Sequence, residues 1–163
     1  MENSMKKFIR TVDALVDSIS LVLLILVVGV VLLQIIFRFF ILKPLSWSEE
    51  LSRYLFIWIV YIGGYLCTKS NSHLGITFFV DTSPKKLSKL MTLVANLSII
   101  IYMLIVIFYG FQLSVKVMRQ PSAVLRVPMG VVYGAIPIGM LLMLIRLIFN
   151  FIEKKGSRPE GSL

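Results

Sequence analysis

The chain has 163 residues, of which 58% are hydrophobic, and a mean hydropathy of +0.90. That is well beyond the apolar share of a soluble domain and leaves too little polar sequence for a soluble catalytic one. The net charge of +9 falls in loops and at helix ends, which argues for a membrane topology signal and against nucleic-acid binding.

In the N-terminal segment Phe8, Ile9, Val12, Leu15, Val16 and Ile19 recur at helical spacing, opposite Lys6, Lys7, Arg10, Asp13 and Asp17. This pattern predicts an amphipathic interfacial helix leading into a first span. Ser18 to Phe37 carries no charge, and about 20 apolar residues suffice to cross a hydrocarbon core of roughly 30 Å. The run is too long for a signal-peptide core, and no small-x-small site follows, so it reads as a retained span over 18–41. Near its far end Gln34 and Arg38 lie one turn apart. Arg38 either snorkels to the headgroups or reaches Glu49 or Glu50 and clamps the first two spans together.

The second span, over 49–68, opens with Ser46-Trp47-Ser48-Glu49-Glu50-Leu51-Ser52-Arg53. Ser46 and Glu49 have the spacing of a capping box. Glu49 and Arg53 are four apart with the acid first, the favourable order for a helical ion pair. Glu50 competes for the same guanidinium from three residues away. Trp47, Leu51, Tyr54 and Trp58 share one face. The segment is either a capped helix start with an aromatic belt or a docking surface for a partner subunit, since one arginine cannot fully serve two acids.

The stretch 69–89 holds an apolar piece too short to span, His73 to Val80, read as a short interfacial segment. Ser83-Pro84 then suits a helix start. Leu90 to Val115 is the longest uncharged run and predicts a third span over 88–115. The fourth, over 127–150, contains Gly130-x-x-x-Gly134, suited to close helix approach, and Pro137, which frees the carbonyl of Tyr133 and predicts a kink. Residues 156–163 read as a polar tail. The expected fold is therefore an all-α integral membrane domain over 1–155, with four transmembrane helices.

Lys6, Lys7, Arg10, Lys69, Lys85, Lys86, Lys89, Arg146, Lys154, Lys155 and Arg158 fall on the N-terminal side of the membrane. The other side holds Arg38, Lys43, Arg53, Lys116, Arg119 and Arg126. The positive-inside rule then predicts cytoplasmic termini. Cys67 is the lone cysteine and His73 the lone histidine, too few for a haem, a metal or a redox pair. Acids occur only at 2, 13, 17, 49, 50, 81, 153 and 160, none deep in a span. That argues against a self-sufficient proton-coupled multidrug exporter, and no repeat between the halves suggests an inverted-repeat transporter. No cofactor and no catalytic residue is expected.

The run from Ser46 to Trp58, then His73-Leu74-Gly75, and later Pro128-Met129 with Tyr133 and Pro137, resembles the DctQ-like small membrane subunit of TRAP transporters, the tripartite ATP-independent periplasmic systems. The resemblance covers nearly the whole chain. It departs from the family's loop at Lys69-Ser70-Asn71-Ser72, which precedes the histidine. It implies a bacterial inner-membrane scaffold, among phospholipids, packed against a large many-spanning subunit. That subunit would perform sodium-coupled uptake of an organic acid, such as a dicarboxylate or sialic acid, delivered by a periplasmic substrate-binding protein. On this reading Arg38, Trp47, Glu49, Glu50 and Arg53 form the outer part of the subunit interface. Trp58, Tyr61, Gly63 and Gly64 pack against the large subunit. The alternatives are a small self-sufficient multidrug-type exporter and a structural subunit of another membrane complex.

Overall fold

The computed structural model describes residues 2–70 and 85–156. The interfacial segment expected around His73 and the polar tail lie outside these residues. Among the described residues five helices are present: α1 (Glu2–Phe39), α2 (Ser46–Lys69), α3 (Lys85–Lys116), α4 (Met129–Tyr133) and α5 (Ala135–Gly156). Four stretches among the described residues are long and apolar enough to cross a membrane, Ile9–Phe39, Ser46–Lys69, Leu90–Lys116 and Met129–Phe151. Hydroxyls within them donate back to carbonyls one turn earlier, as Ser20 does to Val16 at 2.7 Å and Thr68 to Gly64 at 2.9 Å. Their polar atoms are thereby satisfied where water is absent.

The N-terminal amphipathic stretch is helical and leads into the first span, as its pattern predicts. It continues unbroken into the first span as one helix of 38 residues, about 57 Å long at helical rise. The segment contains no proline, and Gly29 is its sole glycine. Part of its apolar stripe packs inward: Ile9 and Val16 are buried while Leu15 and Ile19 stay exposed, and Val16 joins the core with Ile62, Tyr65, Met103, Met143, Leu144 and Leu147.

α1 packs along α2, α2 along α5, and α5 along α3, while α1 touches neither α3 nor α5 through its backbone. Among the described residues the long helices therefore stand in an open row, α1–α2–α5–α3, in place of a closed ring. Such a row has two broad faces, and much of its apolar surface is exposed; Phe56, Leu93, Phe108 and Tyr109 are examples.

The fourth span is broken as Pro137 predicts, at Gly134 between α4 and α5. α4 lies hard against α3. A Cβ on Gly130 would meet the Ser114 carbonyl oxygen at 2.4 Å and the Met118 Cα at 2.8 Å, and the Ser114 hydroxyl donates to the Gly130 carbonyl at 2.6 Å. Only glycine permits this approach.

Candidate functional site: the polar groups at the two ends of the helix row

The end of the row away from the N-terminus is built around the start of α2. That helix begins at Ser46 after an extended Leu45, with no side-chain cap hydrogen bond, so the expected capping box does not form. The Ser48 hydroxyl donates to the Leu45 carbonyl at 2.8 Å and is fully buried. Glu49 cannot reach back because it turns toward α1, where the Gln34 amide donates to it across 3.5 Å. At this end the contact from the first span to Glu49 is thus made by Gln34 in place of Arg38, as one long hydrogen bond. Arg38 lies a turn further out, exposed, with its guanidinium 5.8 Å from the Phe39 ring.

The expected ion pairs of Arg53 are also absent. Among the described residues, salt bridges join Lys69 to Asp17 and Arg146 to Asp13, and none involves Arg53. The reason is that both neighbouring acids are engaged elsewhere. Glu50 accepts from the backbone N–H groups of Val124 and Leu125, each at 2.9 Å. It also accepts from the Tyr54 hydroxyl, which rests against the Met129 sulfur. The loop it holds is folded on itself: Ser122 N–H donates to Val127 O at 2.9 Å, Met129 N–H to Gln120 O at 2.9 Å, and Val127 N–H to the Ser122 hydroxyl at 3.0 Å. Arg126 takes a left-handed backbone at φ 53° to close it. A carboxylate accepting two backbone N–H groups is a strong anchor.

The other end carries a network that sequence reasoning missed. The Tyr65 hydroxyl donates to Asp13 at 2.7 Å, and Arg146 donates to the other carboxylate oxygen at 3.2 Å. Lys69 bonds Asp17 at 2.8 Å, and the Asn150 amide donates to the Thr68 carbonyl at 2.9 Å. Three spans meet here. Asp13 and Asp17, one turn apart, lie on the same side of the membrane as Lys69 and Arg146, and that coincidence was the available signal.

The remaining candidates divide by direction. Trp58 and Tyr61 pack against the core. Tyr61 also closes on Gly139 of α5, and Gly64 faces Met143 of α5. These three therefore make contacts inside the chain. Trp47 is 38% exposed, Glu49 and Arg53 are exposed, and a Cβ on Gly63 would meet nothing within 4 Å. Among the described residues no three His, Cys, Asp or Glu side chains gather to hold a metal ion.

The family model for tripartite ATP-independent periplasmic transporters, DctQ component, matches residues 27–155. The chain belongs to this family. As a DctQ-family chain it is 26% identical over 152 residues to the sialic acid TRAP transporter small permease protein SiaQ of Vibrio cholerae, covering 91% of this chain and 86% of that one. It is 24% identical over 154 residues to the sialic acid TRAP transporter permease protein SiaT of Haemophilus influenzae, covering 92% of this chain but 25% of the relative. The isethionate TRAP transporter permease protein DctMQ of Oleidesulfovibrio alaskensis matches 63% of this chain and 16% of its own length at 24% identity. The DctQ module thus also occurs within much longer permease chains. The relatives are transporter permease proteins, and no catalytic family is indicated. With its four candidate spans, the chain is a multi-pass membrane protein and a small TRAP permease subunit.

Proposed function

We propose that this chain is the static scaffold of a TRAP importer in the bacterial inner membrane, with both termini cytoplasmic and residues 1–155 acting as one unit. It packs against a large many-spanning subunit that takes up an organic acid with sodium, delivered by a periplasmic binding protein, with phospholipid filling the remaining surface. The observation that carries this reading is the open helix row. Among the described residues the four long helices stand side by side as an open row, and they expose charges and an open glycine notch suited to a neighbour. Membership in the DctQ family and the joined architecture of SiaT and DctMQ support the large partner. The sialic acid and isethionate named for relatives are both organic anions, which supports the substrate class. Among the residues named from the sequence, Arg38, Trp47, Glu49, Arg53 and Gly63 supply the interface, and Glu50 shapes the loop beside it.

The test is uptake in proteoliposomes. The reconstituted small and large subunits with the binding protein should accumulate an organic anion along an inward sodium gradient. The large subunit alone should lose that uptake, and this chain alone should move nothing. Solute flux through this chain by itself would overturn the reading and restore the exporter alternative.

A further inference from the structure

Along α2, Glu49, Arg53, Phe56, Val60, Gly63 and Cys67 follow steps of four and three residues, which places them on one side of the helix. That side is open. Glu49, Arg53 and Cys67 are exposed, and Phe56 and Val60 are 59% and 51% exposed. A Cβ on Gly63 would meet nothing within 4 Å. Trp58, Ile62 and Tyr65 occupy the opposite side and face the core. On α1, Val27, Val31 and Gln34 repeat the same spacing and line one groove with Glu49, Ser52, Arg53 and Phe56. Because α2 is an inner member of the row, its stripe forms the floor of that groove.

Lipid is the default occupant of an apolar groove, and two observations argue for a helix instead. The first is relief: exposed, bulky Phe56 and Val60 stand beside Gly63, where a Cβ would meet nothing within 4 Å, and such a notch admits a partner's side chain. The second observation is depth. Gln34 lies level with Glu49, and Asp17 with Lys69. Arg53, one turn inward from Glu49, therefore lies beside Val27 and Val31 in the uncharged stretch of α1. No acid among the described residues bridges it. A guanidinium at that depth either stretches to the headgroups or takes a hydrogen-bonding partner from a neighbouring helix, because lipid tails supply none.

We propose that this stripe seats a transmembrane helix of the large permease subunit, bearing a carboxylate or carboxamide opposite Arg53 and a bulky apolar residue over Gly63. This rests on the scaffold reading above and adds which face is used. The occurrence of the same module inside the longer SiaT chain favours that partner over a second copy.

A photo-crosslinking residue placed at Phe56, at Val60, or at the 51%-exposed Leu104 of α3, in membranes co-expressing the large subunit, tests the assignment. Adducts with the large subunit are expected at the two α2 positions and not at 104. Gly63→Leu should lower the co-purified large subunit about tenfold, the effect of overpacking a seam. Gly29→Leu, equally open but on the far side of α1 from Val27 and Val31, should change it by about twofold or less, as a surface change does. Adducts with lipid alone, with a second copy of this chain, or with the large subunit only at 104 would overturn the proposal while the co-purified complex left the scaffold reading standing. Failure of the unmodified chains to co-purify would overturn both.

Discussion

Neighbouring helical residues diverge by about 100°, so Glu49 and Glu50 serve different elements although the sequence writes them together. Glu50 holds the 122–127 loop, and Glu49 meets Gln34 of α1. Replacing Glu50 with alanine should speed amide hydrogen exchange at Val124 and Leu125 and expose the loop to protease. Glu49→Ala should leave both amides as they were, and equal effects would refute the assignment. Two glycines give a second contrast. Gly130→Ala should destabilise the chain by about 1–3 kcal/mol, because its Cβ would press on the backbone of α3. Gly63→Ala, with open space beside it, should stabilise the isolated chain by about 0.5–1 kcal/mol from helix propensity alone. Thermal unfolding of the chain in detergent reads both. The sequence marks each as a helical glycine in a membrane span, and only the packing tells them apart.

Pairing between elements is where the sequence was least legible. The four spans are set by runs of uncharged residues long enough to cross lipid, a local property. The partners of the charges are not local: Lys69 finds Asp17 across 52 positions and Leu125 finds Glu50 across 75. Reading Arg53 as the partner of Glu49 or Glu50 followed helical spacing, but contacts to another span and to a loop won both acids. The Asp13–Arg146 pair, with side chains only 16% and 12% exposed, should matter most. Arg146→Met should cost about 3–5 kcal/mol by leaving the Asp13 charge largely buried without its cation, the Tyr65 hydroxyl alone remaining, and adding Asp13→Asn should recover much of that loss. Lys69→Ala removes a half-exposed pair and should cost about 1 kcal/mol or less. Denaturation of the single and double variants forms a cycle, and strictly additive losses would contradict the coupling.

For the whole molecule the fold class, the four spans and the broken fourth span follow from the residues, because lipid permits few alternatives. The open order of the helices does not, since apolar faces toward lipid and toward protein have the same composition. The proposed orientation has a direct check. In a Cys67→Ser background, Arg119→Cys should react with a membrane-impermeant maleimide added to intact cells, and Lys7→Cys should react only after permeabilisation. The reverse pattern would invert the topology.

The network joining Asp13 to Arg146 also imposes an order on biogenesis. Asp13 leaves the ribosome 133 positions ahead of its arginine, roughly 7 to 27 s earlier at about 5–20 residues per second. During that interval the acid has no cation from the last span, and in the proposed orientation it waits at the cytoplasmic surface, where water solvates it. Emergence of α5 then lets Arg146 lock the earliest helix in place, so a nascent chain halted before that point should hold α1 more loosely than the finished protein does.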